Sequence, residues 1–314
     1  MKRGLKALLG LGVALSALLG LELALRAAGV APAYDRADLV RWEPKPGLRS
    51  AEQPNPAVGG AFRVSTNADA LRCPHARAAG VRVWLAGDST VFGWGVDDAD
   101  TLPAQLERTL SGTPGLRAIQ VINGGQPSAS SVDASALAMR LAPEYGVDLL
   151  ALFVPYHDDF PTLLTDREWR EGGGGLRRTL ATDLRLFGAA MRLFRPSGLA
   201  LTTRVLPEER SAALRELETL NIPLVVGLLP TPSTLGLPGE ANRGAGDRAW
   251  LAEACLPPTC TPLDLSRPEG VDPASLVFPA DTGHFTAEGN RVLAERLAVA
   301  LTPILAEIPA VRLP

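Results

Sequence analysis

Short apolar runs alternate with longer amphipathic stretches through most of residues 81–305. The apolar runs have the length and composition of strands buried on both faces, and they cover residues 81–86, 118–122, 147–154 and 222–229. Helix-period patterns lie between and after them, at residues 102–110, 131–141, 208–220 and 287–305. Because strands that alternate with helices favour a parallel sheet, the pattern predicts an α/β domain covered on both sides.

The amino terminus departs from this pattern. Lys2, Arg3 and Lys6 precede an uncharged apolar run over residues 7–21, which continues as far as Arg26. A spanning helix needs about 20 apolar residues, and the core of a cleaved signal peptide needs about 7 to 15. The run is therefore compatible with either a cleaved signal peptide or a retained anchor.

We favour a retained anchor over residues 1–28, with Glu22 at the membrane interface. The best small-x-small cleavage site, Ala31-Pro32-Ala33, contains a proline and lies beyond two charged residues. Residues 7–21 have no polar face, which disfavours a helix lying on the membrane surface. The basic residues would stay in the cytoplasm, so we expect a single-pass protein of the bacterial inner membrane whose larger domain is periplasmic or extracytoplasmic.

Two segments interrupt the regular pattern. Residues 29–79 are rich in Pro, Gly and Asn and predict an extracytoplasmic stalk that partly packs on the domain, which we place at residues 80–307. Residues 160–206 exceed an ordinary crossover and contain Gly172 to Gly175. They are compatible with a helical insertion that has a flexible joint, although we favour a solvated loop at the glycines.

Composition narrows the function without fixing it. The 314 residues are 46% hydrophobic and carry a net charge of −3, which excludes wholesale disorder and lacks the basic excess of a nucleic-acid binder. Cys255 and Cys260 flank a turn-rich segment, and a disulfide and two separate thiols have about equal weight. A metal site is less favoured because no second cysteine pair or spaced histidine cluster accompanies them.

The segment Gly87-Asp88-Ser89-Thr90 follows the first predicted strand directly. A serine there has its hydroxyl at the carboxyl edge of the sheet, where backbone N–H groups can receive a developing oxyanion. The alternative is simple helix capping, since Asp, Ser and Thr are all preferred caps. No Gly-x-Ser-x-Gly elbow is present, which argues against the α/β-hydrolase fold.

A second candidate lies before the last predicted helix, where Asp281 precedes His284 by three residues. Histidine has the pKa that a base for a serine hydroxyl needs, and a nearby carboxylate can fix its tautomer. Alternatively, His284 is a loop histidine and Thr286 caps the helix. The two roles use different side chains and are compatible.

Taken together, four ordered blocks resemble those of the SGNH (GDSL-type) hydrolases: Gly87-Asp88-Ser89, Asn123-Gly124-Gly125, Tyr156-His157-Asp158 and Asp281-x-x-His284. The resemblance covers roughly residues 81–305 and implies a flavodoxin-like three-layer α/β/α sandwich. It also implies ester hydrolysis or acyl transfer without a cofactor or metal. On this resemblance Ser89, Asp281 and His284 form the triad, while the backbone of Ser89 and Gly125 contributes to the oxyanion hole.

One position departs from the family pattern, because the third block normally supplies an asparagine and this chain has His157. A histidine N–H can also donate to an oxyanion, so His157 is a candidate residue of the oxyanion hole. The alternatives are that Asp158 or Asp159 faces the cleft instead, or that catalysis is weak. Trp94 and Tyr156 are candidate substrate-binding residues, although aromatic residues after a strand are more often packing.

The sequence thus predicts an extracytoplasmic serine esterase acting on a small acyl ester, such as O-acetyl on an envelope polysaccharide. A polysaccharide O-acyltransferase and a non-catalytic envelope-binding module are the alternatives. The expected partners are an acyl-ester substrate, which an acetylated glycan would supply, and the inner membrane through the N-terminal helix. Nucleic acid is not expected.

Overall fold

A computed structural model describes residues 2–30, 44–55, 60–73, 80–114, 116, 118–162, 164–194, 202–238 and 246–308. The predicted poor cleavage site at Ala31–Ala33 and the remaining histidine, His75, lie outside the described residues. The chain forms two compact units, one of Trp42–Phe160 with Arg204–Pro314 and one of Met1–Arg41 with Pro161–Thr203.

The strands, numbered in chain order, are β1 (Ala51–Asn55), β2 (Gly60–Val64), β3 (Val81–Gly87), β4 (Ile119–Gly125), β5 (Leu149–Phe153), β6 (Pro161–Thr162), β7 (Thr202–Thr203), β8 (Leu224–Leu228), β9 (Cys260–Asp264), β10 (Val277–Phe278) and β11 (Asp281–Phe285). The α-helices are α1 (Lys2–Ala27), α2 (Ser89–Phe92), α3 (Leu102–Ser111), α4 (Ser131–Tyr145), α5 (Asp166–Glu171), α6 (Gly175–Thr182), α7 (Arg185–Phe194), α8 (Pro207–Glu218), α9 (Asp247–Ala254), α10 (Pro273–Leu276) and α11 (Ala287–Glu307). Single 3-10 turns occupy Asp98–Asp100 and Tyr156–Asp159.

Five parallel strands form the central sheet in the order β4-β3-β5-β8-β9. Counted along the chain this is the order 2-1-3-4-5 of flavodoxin-like folds, which confirms the predicted fold class. The chain leaves β3 towards one side and returns on the other side as β5. Ligands of such sheets bind beyond the carboxyl ends of the strands at this reversal, which lies between β3 and β5.

Each face of the sheet is covered by helices because successive strand residues point to opposite sides. On β3, Val83 and Leu85 join the core cluster that includes Leu106 of α3 and Leu297 of α11. The intervening residues Trp84 and Ala86 join a second cluster built from α4, α8 and α9. The result is three layers, as expected from runs that are apolar without alternation.

The fifth strand, β9, was missed from the sequence. Its residues, Cys-Thr-Pro-Leu-Asp, are largely polar and exposed because the strand lies at the edge of the sheet. Pro262 lies within it, as prolines in sheets do on edge strands. Cys255 and Cys260 form a disulfide with a Cα–Cα distance of 5.0 Å, which ties the end of α9 to the start of β9. Of the two alternatives left by the sequence, a disulfide and two separate thiols, the structure has the disulfide.

Part of the predicted stalk is folded. Strands β1 and β2 pair as an antiparallel hairpin, and Phe62 and Val64 on it are buried together with Phe92. The hairpin belongs to the same compact unit as the central sheet. The domain boundaries proposed from the sequence stay a prediction, and the paired strands β1 and β2 lie within the segment predicted as a stalk.

The second unit contains α1 and the helices α5 to α7. Within α1, residues Gly10–Ala27 are long and apolar enough to cross a membrane, by length and composition. Glu22 is buried, and its carboxylate accepts hydrogen bonds from the backbone N–H groups of Arg185 and Leu186 at 3.0 and 2.8 Å. Arg26 donates to the same carboxylate at 2.8 Å. The glutamate in the apolar helix therefore caps the first turn of α7.

Most of the described residues of the long insertion are helical, whereas the sequence favoured a solvated loop at its glycines. The glycines form only the junction between α5 and α6, and Gly172 and Gly174 adopt left-handed φ angles of 78° and 88° there. Such angles favour glycine, which explains the run without a long flexible segment.

Gly124 provides a test of the packing between β3 and β4. A Cβ at this position would lie 2.3 Å from Nε1 of the fully buried Trp84 ring. We expect Gly124→Ala to lower the free energy of unfolding by about 1 to 3 kcal/mol, because a rigid indole cannot move aside. The measurement is chemical unfolding of the detergent-solubilised full-length protein.

The matched control is Gly112→Ala at the end of α3. Its Cβ would meet nothing closer than 3.6 Å, and its φ of −85° suits alanine. This variant should stay within about 0.5 kcal/mol of the wild type. Equal effects of the two variants would contradict the described packing.

Candidate active site

Ser89 lies where β3 ends, at the first residue of the short helix α2. Oδ1 of Asp88 accepts hydrogen bonds from the backbone N–H and the hydroxyl of Thr90, at 2.9 and 2.7 Å, and so caps this helix. Gly87 permits the tight turn, since a Cβ there would lie 2.5 Å from Cγ2 of Val91. The strand, turn and helix together hold the Ser89 hydroxyl at the carboxyl edge of the sheet.

His284 and Asp281 lie on β11, directly before α11. Nε2 of His284 lies 2.8 Å from Oγ of Ser89, and its Nδ1 lies 2.7 Å from Oδ2 of Asp281. The hydrogen bond from His284 lowers the pKa of Asp281, which keeps this carboxylate ionised. The three residues have the contacts of a nucleophile, a base and a carboxylate that orients the base.

Thr286 caps α11 through a hydrogen bond from the N–H of Gly289 at 3.0 Å. Thr286 therefore caps the helix while His284, two residues earlier, contacts Ser89. Asp281 and His284 lie on a strand of a short hairpin, so His284 is not a loop histidine. The hairpin fixes the direction in which His284 leaves the backbone.

The backbone donors expected at the oxyanion hole differ from each other. The N–H of Ser89 makes no hydrogen bond to any residue that the structure describes. The N–H of Gly125 donates to Oδ1 of Asn123 at 3.0 Å. Donation from Gly125 to an oxyanion would therefore require Asn123 to turn away. Gly125 also serves close packing, because a Cβ there would lie 2.2 Å from the backbone nitrogen of Phe92 in α2.

His157 lies on the 3-10 turn that follows β5, on the other side of the chain reversal from β4. Its Nδ1 lies 3.2 Å from Oδ2 of Asp88, the residue next to Ser89. Burial alone would raise the pKa of Asp88, but hydrogen bonds and charge from His157, with hydrogen bonds from Thr90, outweigh it and leave the pKa lowered. His157 is thus linked to the turn that carries Ser89.

Asp158 is held in the interior by two partners. It is fully buried, accepts a hydrogen bond from the N–H of Ser131 at 2.8 Å and pairs with Nε of Arg210 at 2.9 Å. Arg210 also contacts Asp247 at 2.6 Å and Asp159 at 3.8 Å. Burial raises the pKa of Asp158 to about 6 against the opposing charge of Arg210. This cluster fastens the turn that carries His157 to α4, α8 and α9.

Arg72 makes a second buried network that sequence reasoning missed. Its guanidinium donates to the carbonyl oxygens of Gly93 and Val96, both at 2.7 Å, and pairs with Asp98 at 2.8 Å. It also lies 5.0 Å from the centre of the Phe92 ring. A single arginine thus holds the segment that follows α2. Nothing in the local sequence around Arg72 or Arg210 distinguishes them from surface arginines.

The two aromatic candidates lie beside the histidines. The ring centre of Trp94 is 6.4 Å from that of His284, and the ring centre of Tyr156 is 6.0 Å from that of His157. Both side chains are partly exposed, whereas Phe92 is fully buried and belongs to the core. The role of Trp94 and Tyr156 in substrate binding stays a prediction.

Two further properties of the described residues concern metal binding and the position of a cavity. Within the described ranges, no group of three His, Cys, Asp or Glu side chains is arranged to hold a metal ion. A cavity of about 820 Å³ is lined by Leu149, Leu224 and Thr261 at the amino ends of the strands. It lies at the edge of the sheet opposite to Ser89.

No protein-family profile matches the sequence, and no curated protein matches it. Solved structures do resemble it. A protein described as lipolytic and of the G-D-S-L family, from Desulfitobacterium hafniense, is 17% identical with a TM-score of 0.45, over 70% of this chain and 99% of that one. A catalytic mutant of an acetylxylan esterase from Geobacillus stearothermophilus is 16% identical with a TM-score of 0.46, over 76% and 99%. A lipase/acylhydrolase from Enterococcus faecalis is 15% identical with a TM-score of 0.45, over 71% and 96%.

At these identities and TM-scores the likeness is distant.

The Arg72 network can be tested by substitution. Arg72→Ala leaves several buried carbonyl oxygens and Asp98 without their donor, so we expect a loss of about 3 kcal/mol in the free energy of unfolding. Loosening of the segment after α2 should also slow labelling of Ser89 by a fluorophosphonate probe. Arg291→Ala is the control, because Arg291 pairs with Glu288 and Glu295 on the exposed surface of α11. That control should cost less than about 1 kcal/mol, and an equal cost would contradict a special role of Arg72.

Proposed function

We propose that the protein is a serine ester hydrolase that works through an acyl-enzyme. The observation that carries the proposal is the chain of contacts from Asp281 through His284 to Ser89, with distances of 2.7 and 2.8 Å. A serine at a strand-to-helix turn, a histidine within hydrogen-bond reach and a carboxylate behind it are the parts that nucleophilic catalysis needs.

In the first step, Nε2 of His284 takes the hydroxyl proton of Ser89 while Oγ attacks the acyl carbonyl carbon. The carbonyl oxygen becomes an oxyanion, which the N–H of Ser89 and His157 are suited to stabilise. The imidazolium of His284, balanced by Asp281, then returns its proton to the leaving alcohol. Water, deprotonated by His284, releases the acid and restores Ser89.

A small acyl group on a sugar of the cell envelope is the proposed substrate class. Its support is the family resemblance, the anchor-like α1 and the two partly exposed aromatic side chains of Trp94 and Tyr156, which suit packing against a sugar ring. Transfer to a sugar hydroxyl instead of water would use the same residues. The intact contacts of Ser89 oppose a purely structural module.

We also propose that α1 is retained as a membrane anchor. A cleaved signal peptide is removed from the mature protein, so contacts between it and a distant segment would not stabilise the mature fold. Glu22 instead accepts two backbone N–H groups from the start of α7, 163 and 164 residues along the chain. This contact supports retention, with the catalytic domain outside the inner membrane.

The proposed reaction is tested with aryl esters of graded acyl length. We expect Ser89→Ala to lose more than about a thousandfold in kcat/KM and Asp281→Asn about a hundred- to ten-thousandfold, because nucleophile and base act as one unit. Ser211→Ala on α8 is the control serine and should keep its activity. Undiminished hydrolysis by Ser89→Ala would refute the mechanism, and faster transfer to an added glycan than to water would reassign the acceptor.

The anchor is tested by recovering the full-length protein from bacterial membranes. We expect an intact mass that includes residues 1–30, and a chain beginning beyond residue 30 would contradict retention. We further expect Glu22→Ala to make trypsin cleavage at Arg185 several-fold faster, because the first turn of α7 loses its acceptor. The control is Glu171→Ala, which removes an exposed carboxylate that pairs within α5; it should leave cleavage at Arg185 unchanged.

A further inference from the structure

We infer that α7 lies in the outer interface of the membrane that α1 spans, with its apolar residues among the lipid acyl chains and its arginines at anionic headgroups. The inference rests on the proposed retention of α1 as an anchor and goes beyond it, because it gives the protein a second contact with the bilayer. The residues concerned all belong to the unit that contains α1 and α5 to α7.

The length of α1 places Glu22 near the outer boundary of the hydrocarbon layer. The uncharged run over residues 7–21 spans only about 22 Å, whereas the hydrocarbon core of a bilayer is about 30 Å thick. Continuing the helix through Leu25 brings it to about 28 Å. Leu21 and Leu23, on either side of the buried Glu22, are 47% and 57% exposed, as residues that face lipid are.

The contact between Glu22 and α7 is of the kind that a membrane requires. A carboxylate at this depth is costly unless it is paired, and unsatisfied backbone N–H groups are costly there as well. Glu22 accepts from the N–H groups of Arg185 and Leu186 at 3.0 and 2.8 Å, so each half of the contact satisfies the other. Arg26 donates to Glu22 at 2.8 Å and to the carbonyl oxygen of Asp183 at 2.5 Å. The first turn of α7 therefore lies at the depth of Glu22, beside the exposed apolar part of α1.

The sequence of α7 suits that position. It reads Arg-Leu-Phe-Gly-Ala-Ala-Met-Arg-Leu-Phe, with two arginines seven positions apart and no other charged residue. Seven residues are close to two turns of a helix, so the pattern combines one basic stripe with an otherwise apolar sequence, as in helices that lie in a membrane interface. Leu186 and Phe187 are partly exposed, whereas Gly188 is buried. The apolar side chains next to the contact with Glu22 are therefore accessible to lipid.

The charges of the unit favour an anionic surface. Residues 166–194 contain six arginines and four acidic residues, although the whole chain has a net charge of −3. On α6, Leu176 is 74% exposed directly before Arg177 and Arg178. The guanidinium of Arg178 lies 4.7 Å from the ring centre of Trp169, and tryptophan is enriched at membrane interfaces. Basic residues close to a membrane surface are attracted to anionic lipids, which supports lipid headgroups as the partner.

The experiment measures the depth of a nitroxide label in full-length protein reconstituted in vesicles of phosphatidylcholine, with or without phosphatidylglycerol. The labelled variants are Phe187→Cys, Leu23→Cys and Glu171→Cys, each made with Cys73→Ala because Cys73 lies outside the disulfide. Oxygen concentrates in the bilayer and a nickel chelate stays in water, so their relative access to the label reports its depth. We expect oxygen access to exceed nickel access several-fold for the labels that replace Phe187 and Leu23. The label that replaces Glu171, an exposed residue of α5, should show the reverse.

The outcomes separate this inference from the anchor. Nickel access to the label at Phe187, with the label at Leu23 still in lipid, would overturn the inference and leave the anchor intact. Nickel access to both labels would instead refute the anchor. Spin–spin broadening of the label at Phe187 would show a second copy of the chain on this face and would also overturn the inference.

The lipid composition tests the role of the arginines. We expect phosphatidylglycerol to increase the ratio of oxygen to nickel access for the label that replaces Phe187, and added salt to reduce this gain, because salt screens the attraction between charges. An equal ratio in both kinds of vesicle would overturn the assignment to anionic headgroups.

A second measurement needs no label. Phe187→Asp places a carboxylate at the depth of the acyl chains, so we expect amide hydrogen exchange in α7 to become several-fold faster in vesicles. Phe187→Ala is the matched control, because it removes the same ring without adding a charge, and its effect should be smaller. Equal acceleration in the two variants would assign the ring to packing within the protein and would contradict its contact with lipid.

Discussion

The two oxygens of one buried carboxylate join the nucleophile to the rest of the site. Oδ1 of Asp88 caps the helix that begins at Ser89, and Oδ2 holds His157 from the end of a neighbouring strand. A buried carboxylate is costly unless both oxygens are satisfied. The cap and the histidine are therefore mutually dependent, and movement of either would leave charge exposed to an apolar interior.

Two buried arginines stabilise the segments around the site through hydrogen bonds and ion pairs. Arg72 saturates backbone carbonyl oxygens behind α2, and Arg210 neutralises carboxylates behind the turn of His157. Each guanidinium has five N–H donors in a fixed plane, which suits it to several acceptors at once. Arg72 and Arg210 thus stabilise the segments that follow Ser89 and contain His157. Neither arginine belongs to the four sequence blocks.

The sequence was most informative where one physical requirement dominates. Strands buried on both faces must be continuously apolar, so β3, β4, β5 and β8 were visible, and the strand-to-helix turn at Ser89 followed from them. The edge strand β9 need not be continuously apolar, so it was not predicted from the sequence. The link from Asp88 to His157 was also invisible, because it spans 69 residues and depends on which strands become neighbours. The hydrogen bond from the N–H of Gly125 to Asn123 was missed for a different reason, because it depends on the direction of the Asn123 side chain, which the residue types of the block do not determine.

His284 reaches Ser89 across 195 residues of chain, and its position depends on the hairpin and capping that begin the last helix. Leu297 and Leu301 of that helix pack in the same core as α3, so the helix docks only when the sheet beneath it exists. Contacts of such long range form late, because the chain must first pay the entropy of closing a large loop. The contact of His284 with Ser89 therefore exists only once the last helix has docked on the sheet. Under the proposed reaction, a chain that lacks this helix would hold Ser89 without its base.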